Sequence, residues 1–598
     1  MTENKNLILA MVLSVLILIG WQYFIIEPRL EADRLRAAAQ QTQTGEAPAS
    51  QTPGAASVEQ SVPGSVQQTV TGTRDEALAQ GGRVTIDTPR LAGSINLKGA
   101  RFDDLRLKDY RETVDADSET IILFSPQGGP NAYYSYHGWI GSGGALDGLP
   151  TLESEWTVNG NQTLSVNAPV ELSYDNGQGL EFKRVISVDE NYMFSVRQSV
   201  KNTGSNPVTL FPYGIISRAG TPEISGFFIL HEGLLGVFGE DGLKEVDYDE
   251  LKEDGAQTFG ASKGGWLGFT DKYWAAALIP SRDQSFTPRF DFTGGSAADA
   301  YQADYLGQSV TIAAGSEQSI EAHLFAGAKQ VNMIDGYEQN IGIDRFELLI
   351  DWGWFHFITK PLFYVIDWLF HLLGNFGLAI LAVTVLVKMV FFPLANKSYA
   401  SMSKMKLVQP EMEKIRERFK DDKPAQQKAM MELYKKEKIN PAAGCLPIFI
   451  QIPVFFALYK VLFVTIEMRQ APFFGWIQDL AAPDPTSLFN LFGAIPWDPS
   501  WLPALGIWPL IMGVTMFIQM KLNPAPPDKT QQMIFNWMPV LFTFMLASFP
   551  AGLVIYWAWN NFLSIIQQYV IMRRQGVKVE ILKNIKDTFR KSKDEASS

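Results

Sequence analysis

A single cysteine, Cys445, in 598 residues leaves no internal disulfide framework. Five scattered histidines show no ligand spacing, so neither a metal site nor a cofactor is expected. No Ser/His/Asp arrangement is visible. The nearest approach to a phosphate loop, GAQTFGASKGG at 255–265, has Ser-Lys where such a loop carries Gly-Lys-Ser/Thr. Catalytic residues are therefore not expected, and the chain reads as a non-enzyme. Cations are also in deficit: 51 Lys and Arg stand against 63 Asp and Glu, a net charge of −12, which argues against a nucleic-acid binder as a whole. Paired internal repeats, the mark of many transporters, are missing as well.

What is present falls into two kinds of sequence: long apolar blocks and a soluble-looking middle. After Lys5, NLILAMVLSVLILIGWQYFII supplies about 20 apolar residues, enough to cross a bilayer. A cleaved signal peptide competes with this reading, but EPRLEADRLR follows in place of a small-residue cleavage site. Residues 1–27 are thus expected to form an uncleaved signal-anchor. Residues 28–82, rich in Gln, Ala, Thr, Ser, Pro and Gly, read as a flexible linker. From 83 to 342, short alternating segments such as EFKRVISVDENYMFSVRQSVKN are separated by turn signals such as DNGQG and NTGSNP. Period-2 segments of this kind indicate an antiparallel sandwich or barrel.

Residues 343–360 place Phe346, Leu349, Ile350, Trp354 and Phe357 on one helical face. That pattern suits an amphipathic helix at the membrane–water boundary, or a helix packed on the β domain. Residues 361–572 carry further apolar blocks near 374–394, 444–466, 502–520, 534–549 and 551–571, several interrupted by Pro or Gly, as a membrane bundle tolerates. The connection 395–443 and the tail 573–598 are rich in Lys and Arg, whereas 467–501 has only Arg469. By the positive-inside rule these asymmetries agree on one topology. The expected fold is a polytopic α-helical membrane protein of six spans, both termini cytoplasmic, with a large periplasmic all-β sandwich domain.

Lys388 interrupts the run LAVTVLVKMVFFPL at 381–394. At 1.5 Å per residue it lies about 18 Å from Phe376, past the middle of a ~30 Å hydrocarbon core on the cytoplasmic side. Thr384, four residues earlier, shares its face. In the last span Tyr556, Asn560, Ser564 and Gln568 repeat every four residues, with Trp557 beside them. Thr515 and Gln519 form a shorter pair, and Gln451 is a polar residue in the preceding span. Such groups face protein or water. Two arrangements satisfy them: interhelical hydrogen bonds that hold the bundle, or a wet concavity. Lys388 has the same choice, between snorkelling to the interface and a hydrated groove that removes a cost of about 2.5–3.5 kcal/mol. The connection 398–440 reads as a helical hairpin turning at KDDKP, with Met405, Val408, Met412, Ile415 and Phe419 along a coiled-coil seam. It is either a spacer or an adaptable landing surface for nascent chains or ribosome partners. The basic tail suits ribosomal RNA or anionic lipid equally.

The segments KPLFYVIDWLFHLLGNFGLAI, QPEMEKIRERFKDDKPAQQKAMMELYKKEKINPAAGCLPIFIQIPVFFALY, IEMRQAPFFGWIQDL, PLIMGVTMFIQMKLNP and FPAGLVIYWAWNNFLSIIQQ resemble the YidC membrane protein insertases of Gram-negative bacteria. The resemblance covers the chain in order and is most specific over the core. It implies a protein of the bacterial inner membrane that inserts nascent membrane proteins and helps them fold, alone or with the Sec translocon and its accessory subunits. It also implies a polar groove open to cytoplasm and lipid, closed on the periplasmic side, and a link to the ribosome or the signal recognition pathway. The β domain of the family is similar to a sugar-enzyme sandwich without its catalysis. An assembly chaperone with no insertase activity of its own is the alternative. The family usually has arginine where Lys388 stands. A cation is kept there, but the bidentate fork of a guanidinium is not.

Overall fold

The computed structural model describes residues 62–63, 70–142, 148–224, 230–294, 299–437, 439, 446–492, 495, 505–523 and 529–576. The expected anchor 1–27, most of the expected linker, Cys445 and the tail beyond 576 lie outside these residues.

Alternation in the sequence becomes alternation in burial. The strand Leu180–Val188 buries Leu180, Phe182, Arg184, Ile186 and Val188 and turns Glu181 and Lys183 to solvent. Strands of this kind form two almost wholly antiparallel sheets, of twelve and nine strands among the described residues. In the larger sheet Ser285–Thr293, Ala300–Gly307, Val208–Ala219 and Tyr133–Gly141 lie side by side. In the smaller, Trp274–Ile279, Glu317–Ala328, Met193–Asn202 and Leu180–Val188 do. Phe102, Phe124, Phe182, Phe194, Trp266, Phe269, Phe290 and Phe325 fill one core with no more than 2% of their surface exposed. Arg184 is an exception to the apolar rule. Its guanidinium donates to Ala100 O (3.1 Å) and His137 O (2.5 Å) and lies 4.7 Å from the Trp156 ring centroid. Burial, reinforced by Arg184, pushes the neighbouring His137 imidazole down to about 3.

The end of the expected linker is folded. Helix α1, Arg74–Leu78, opens with a capping box in which Thr73 and Glu76 satisfy each other's backbone N–H groups. Arg74 pairs with Asp104, and Ala77 is buried. A short α2, Tyr248–Asp254, and α3, Val331–Asn340, complete the helices of the β domain.

The expected helix over 343–360 is displaced. Phe346–Leu349 is a single 3-10 turn, entered through Arg345 in the left-handed region. Phe346 meets the rings of Trp266 and Phe325 edge-on, at 5.4 and 5.6 Å, so its apolar spacing serves the sandwich core. Gly353, with φ +71°, breaks the chain, and helix α4 begins only at His356 and runs to Leu373. Thr359, Phe363, Ile366 and Leu369 face inward, while Phe357, Trp368 and Leu372 are exposed. The amphipathic helix exists, but further along.

Among the described residues the remaining α-helices are α5 Phe376–Val390, α6 Phe392–Arg418, α7 Lys423–Lys436, α8 Leu446–Val464, α9 Ile507–Leu522, α10 Lys529–Met545 and α11 Ala551–Arg574. No single described helix is long and apolar enough to cross a membrane by itself; α5 and α6 pass that test only together, bent by 69° at Phe391. Among the described residues the expected spans are therefore not visible as long apolar helices, and the first of them, 1–27, lies outside. Two causes are plain. Helix α9 has 16 residues, about 24 Å, against a ~30 Å core. Helix α11 has 24 residues, but Asn560, Asn561, Gln567 and Gln568 lower its mean hydropathy.

A loop after α8 closes one end of the bundle. Buried Asp484 accepts hydrogen bonds from Trp508 N (2.9 Å), Trp476 Nε1 (3.0 Å) and Thr486 Oγ1 (2.7 Å). Ala551 N and Gly552 N donate to Ala482 O and Leu480 O, at 2.7 and 3.0 Å. The sandwich is also clamped to the bundle. Glu467 accepts from Val331 N (2.9 Å), Lys460 pairs with Asp351 (2.7 Å), and Lys360 pairs with Asp335 (2.9 Å) and Glu347. Arg469 donates to Arg111 O (2.6 Å) and lies 5.2 Å from the Trp274 ring centroid.

Candidate functional site: a polar cleft in the helical bundle

Lys388 lies near the C-terminal end of α5, one turn before the bend into α6. The bend brings α6 back over it, and a cleft forms between α5, α6, α8 and α11. It is lined by Val387, Lys388, Phe391, Leu394, Ala395, Tyr399, Gln451, Val454 and Gln567, and its cavity volume is about 40 Å³. Lys388 Nζ donates to Ser564 Oγ at 2.7 Å, and Ser564 donates in turn to Asn560 O at 2.8 Å. The Tyr399 hydroxyl also reaches Ser564. Among the described residues no carboxylate lies within ion-pair distance of Lys388. The ammonium is thus half-buried with a hydroxyl for its partner.

Several amides of α11 are incompletely satisfied, and one of them, Gln567, lines the cleft. Gln567 Nε2, Gln568 Oε1 and Asn560 Oδ1 are buried without a hydrogen-bond partner. An unpartnered buried polar group costs roughly 1–3 kcal/mol unless water reaches it. Gln451 donates to the Tyr556 hydroxyl, and Gln568 Nε2 donates to Asn523 Oδ1 at 3.0 Å.

The structure brings Lys388, Gln451, Asn560, Ser564 and Tyr556 into one neighbourhood, but not the other expected residues. Thr384 is buried and donates to Ile380 O of its own helix at 2.6 Å, so its hydroxyl is spent. Thr515 donates to Met512 O at 2.8 Å in the same way. Gln519 is half-buried and off the cleft. Trp557 packs edge-on between Phe455 and Phe542, at 4.8 and 5.7 Å, as an aromatic strut. In the hairpin α6–α7, Met412 is buried, while Met405, Ile415 and Phe419 are half-buried. The hairpin's free apolar surface is instead Leu407 and Met431, 57% and 55% exposed. Two polar residues of the cleft lining, Gln567 and Tyr399, were missed. Gln567 stands three residues after Ser564, a spacing that shares its face. Tyr399 had no readable signal, since only the bend at Phe391 places it.

A two-sheet β domain clamped to an apolar helical bundle, with a cation-bearing polar cleft between helices, defines a class by its architecture: a large antiparallel β domain carried on a bundle of apolar helices. The chain matches two family models end to end, the YidC periplasmic domain over residues 83–365 and the 60Kd inner membrane protein over 368–578. It is 54% identical to the membrane protein insertase YidC of Methylorubrum extorquens (strain PA1), over 100% of this chain and 99% of that protein. It is 55% identical to the membrane protein insertase YidC of Mesorhizobium japonicum (strain LMG 29417 / CECT 9101 / MAFF 303099), over 99% of each. The chain belongs to the YidC family of membrane protein insertases. Among solved structures it is similar to an active YidC insertase crystallised with its first transmembrane domain resolved, at TM-score 0.35 and 18% identity over 83% of this chain and 96% of that one. It is also similar to a galactose mutarotase-like protein from Lactobacillus casei ATCC 334, at TM-score 0.29 and 12% identity over 41% of this chain and 100% of that one.

Proposed function

We propose that the Lys388 cleft is a hydrated groove that receives the hydrophilic segment of a nascent membrane protein, whose apolar helix then leaves sideways into lipid. The observation that carries this reading is the lysine itself: a half-buried ammonium beside a half-open cleft, with a serine hydroxyl as its hydrogen-bond partner. Snorkelling explains the charge less well, because Nζ points to Ser564 within the bundle. The unpartnered amide nitrogen of Gln567, which lines the cleft, favours water in the same space. Interhelical hydrogen bonding remains the role of Thr515, whose hydroxyl oxygen accepts from Asn561 Nδ2 of α11 at 3.5 Å, and of the Gln451–Tyr556 pair.

In this reading the chain has six spans with both termini cytoplasmic. The bundle sits in a locally thinned bilayer, which offsets the shortness of α9. The basic hairpin α6–α7 faces the cytoplasm, where it meets nascent chains and the ribosome or signal recognition pathway, and the basic residues near the end of α11 meet anionic lipid. The loop tied by Asp484 closes the periplasmic end, so a client enters from the cytoplasm only. The Sec translocon and its accessory subunits act as partners for larger clients. The test is reconstitution of the pure protein in liposomes with a short single-span client. Protease protection of the client's translocated tail supports insertion through the protein alone. A client that is bound but never protected supports the alternative, an assembly chaperone without insertase activity.

A further inference from the structure

The larger sheet has two covered faces. Along its central strands Tyr133, Trp139, Ile216, Tyr301, Ala303 and Tyr305 enter the core shared with the smaller sheet. Their alternation partners point the other way, where a one-sided antiparallel sheet meets water and carries polar residues. Here they do not. Tyr136, Tyr213 and Ile215 are each 3% exposed and form a separate cluster, and the residue that closes it is Val62. The two tyrosine hydroxyls bond to each other at 2.5 Å. One register row runs Tyr136, Ile215, Asp304, Arg289 across four strands, so apolar and ionic groups sit side by side.

The ionic half holds a backbone. Arg289 Nη2 donates to Val62 O at 3.0 Å, and Gln302 Nε2 donates to Pro63 O at 2.8 Å. Both donors are held in place by Asp304, which accepts from Arg289 at 3.0 Å and from Gln302 at 2.8 Å and is 1% exposed. Two consecutive carbonyls are thus read by two oriented donors, while Val62 fills the apolar half. The contacts ask for no N–H from the bound chain, so proline fits, and it pushes the residue before it towards an extended backbone. The sequence limits the register. Of the prolines in 28–82, Pro28 follows Glu27, Pro48 follows Ala47 and Pro53 follows Thr52, whereas Pro63 follows the branched apolar Val62. The segment lies before residue 83, where the family-model match begins.

We propose that the outer face of the larger sheet is a binding site for an extended peptide bearing a branched apolar residue followed by proline, and that residues 62–63 fill it in cis as a displaceable strap. A ligand in trans has the same chemistry. An intramolecular segment acts at an effective concentration in the mM range, so it masks the site from outside peptide.

The experiment uses the full-length protein in detergent and a fluorescein-labelled peptide, SVEQSVPGSVQQ, of residues 57–68. Val62→Asp in the protein removes the strap from outside the two sheets, so the fold is retained. Peptide anisotropy should then report binding at least roughly tenfold tighter than to the parent protein. The same peptide with Asp in place of its proline-preceding Val should not bind. Leu306 is partly buried and packs against the Tyr136, Tyr213 and Ile215 cluster, so Leu306→Glu, added to the Val62→Asp protein, should abolish binding while the thermal melt is kept. The proposal is overturned if the Val62→Asp protein shows no saturable binding up to about 1 mM. Equal affinity in parent and variant, or equal binding of the Asp peptide, overturns it too.

Discussion

Exchange of Lys388 tests the cleft most directly, because its charge is what a client tail would feel. A carboxylate held about 6 Å from Nζ at an effective dielectric of about 20 is attracted by about 3 kcal/mol. That is roughly 100-fold in occupancy. Lys388→Ala should remove this term, and Lys388→Glu should reverse its sign. Lys388→Arg should keep it, since attraction to a point charge needs no bidentate geometry. Insertion of clients with acidic translocated tails should then fall in the order Lys, Arg, Ala, Glu, with Arg close to the parent. Clients with neutral tails should separate the four variants much less. Proteoliposomes carrying each variant, assayed by protease protection of the client tail, give the comparison. Lys388→Cys in a Cys445→Ser background supplies a second reading, since a water-soluble thiol reagent should label it in the folded protein. Normal insertion of acidic tails by Lys388→Glu, together with an unreactive cysteine, would refute the wet cleft.

Three further outcomes are expected. Replacing Met412, Ile415 and Phe419 by Ser should open the α6–α7 seam, costing about 2–4 kcal/mol at buried Met412 alone, and should reduce nascent-chain crosslinking; Leu407→Ser with Met431→Ser should reduce crosslinking without changing the melt. His137 stays neutral in the fold down to about 3, against 6.5 when exposed, so below pH 6.5 the unfolded chain binds the extra proton. By linkage the β domain should lose about 2 kcal/mol between pH 7 and pH 5 from this group, a loss that His137→Leu should remove from the thermal melt. Deleting residues 83–320 while keeping α3, the 3-10 turn and α4 should leave insertion largely intact; a truncated protein that remains monomeric and folded but inserts nothing would make the β domain central.

The sandwich was legible because burial in a two-sheet core imposes a period of two, and Leu180–Val188 carries that period in its residue types. The capping box at Thr73 was missed: Thr73 and Glu76 have its spacing, but they stand in a stretch of linker composition. The misplaced amphipathic helix shows a different limit. Phe346, Leu349 and Ile350 have helical spacing, yet one turn buried against Trp266 satisfies the same spacing. In the bundle, polarity alone did not identify the cleft. A threonine in an apolar helix can return its hydroxyl to the carbonyl four residues back, as Thr384 does, and needs no groove. A lysine cannot be satisfied so cheaply, which is why Lys388 was informative and Thr384 was not. Tyr399 depended on a 69° bend that no local pattern announces.

The clamp between the two halves bears on how the cleft keeps its shape. Three charged residues lie in or just beyond the last two turns of α8: Lys460, Glu467 and Arg469. Each is engaged from the β domain or its connecting collar, by Asp351, Val331 and Arg111 respectively. The other end of α8 carries Gln451 into the cleft, bonded to Tyr556 of α11. One helix therefore joins the clamp to the cleft wall, and it is fixed at both ends. Of the three engaging residues, Val331 and Asp351 belong to the segment between the sandwich and α4, and only Arg111 belongs to the sheets. The collar alone keeps two of the three ties. Loss of the sheets then removes the Arg469 contacts and the Trp266 ring that packs on Phe346, while α8 stays held at its outer end. The β domain and the cleft are thus coupled through a short, separable segment, and this is the physical reason to expect the collar to matter more to insertion than the far larger sandwich it carries.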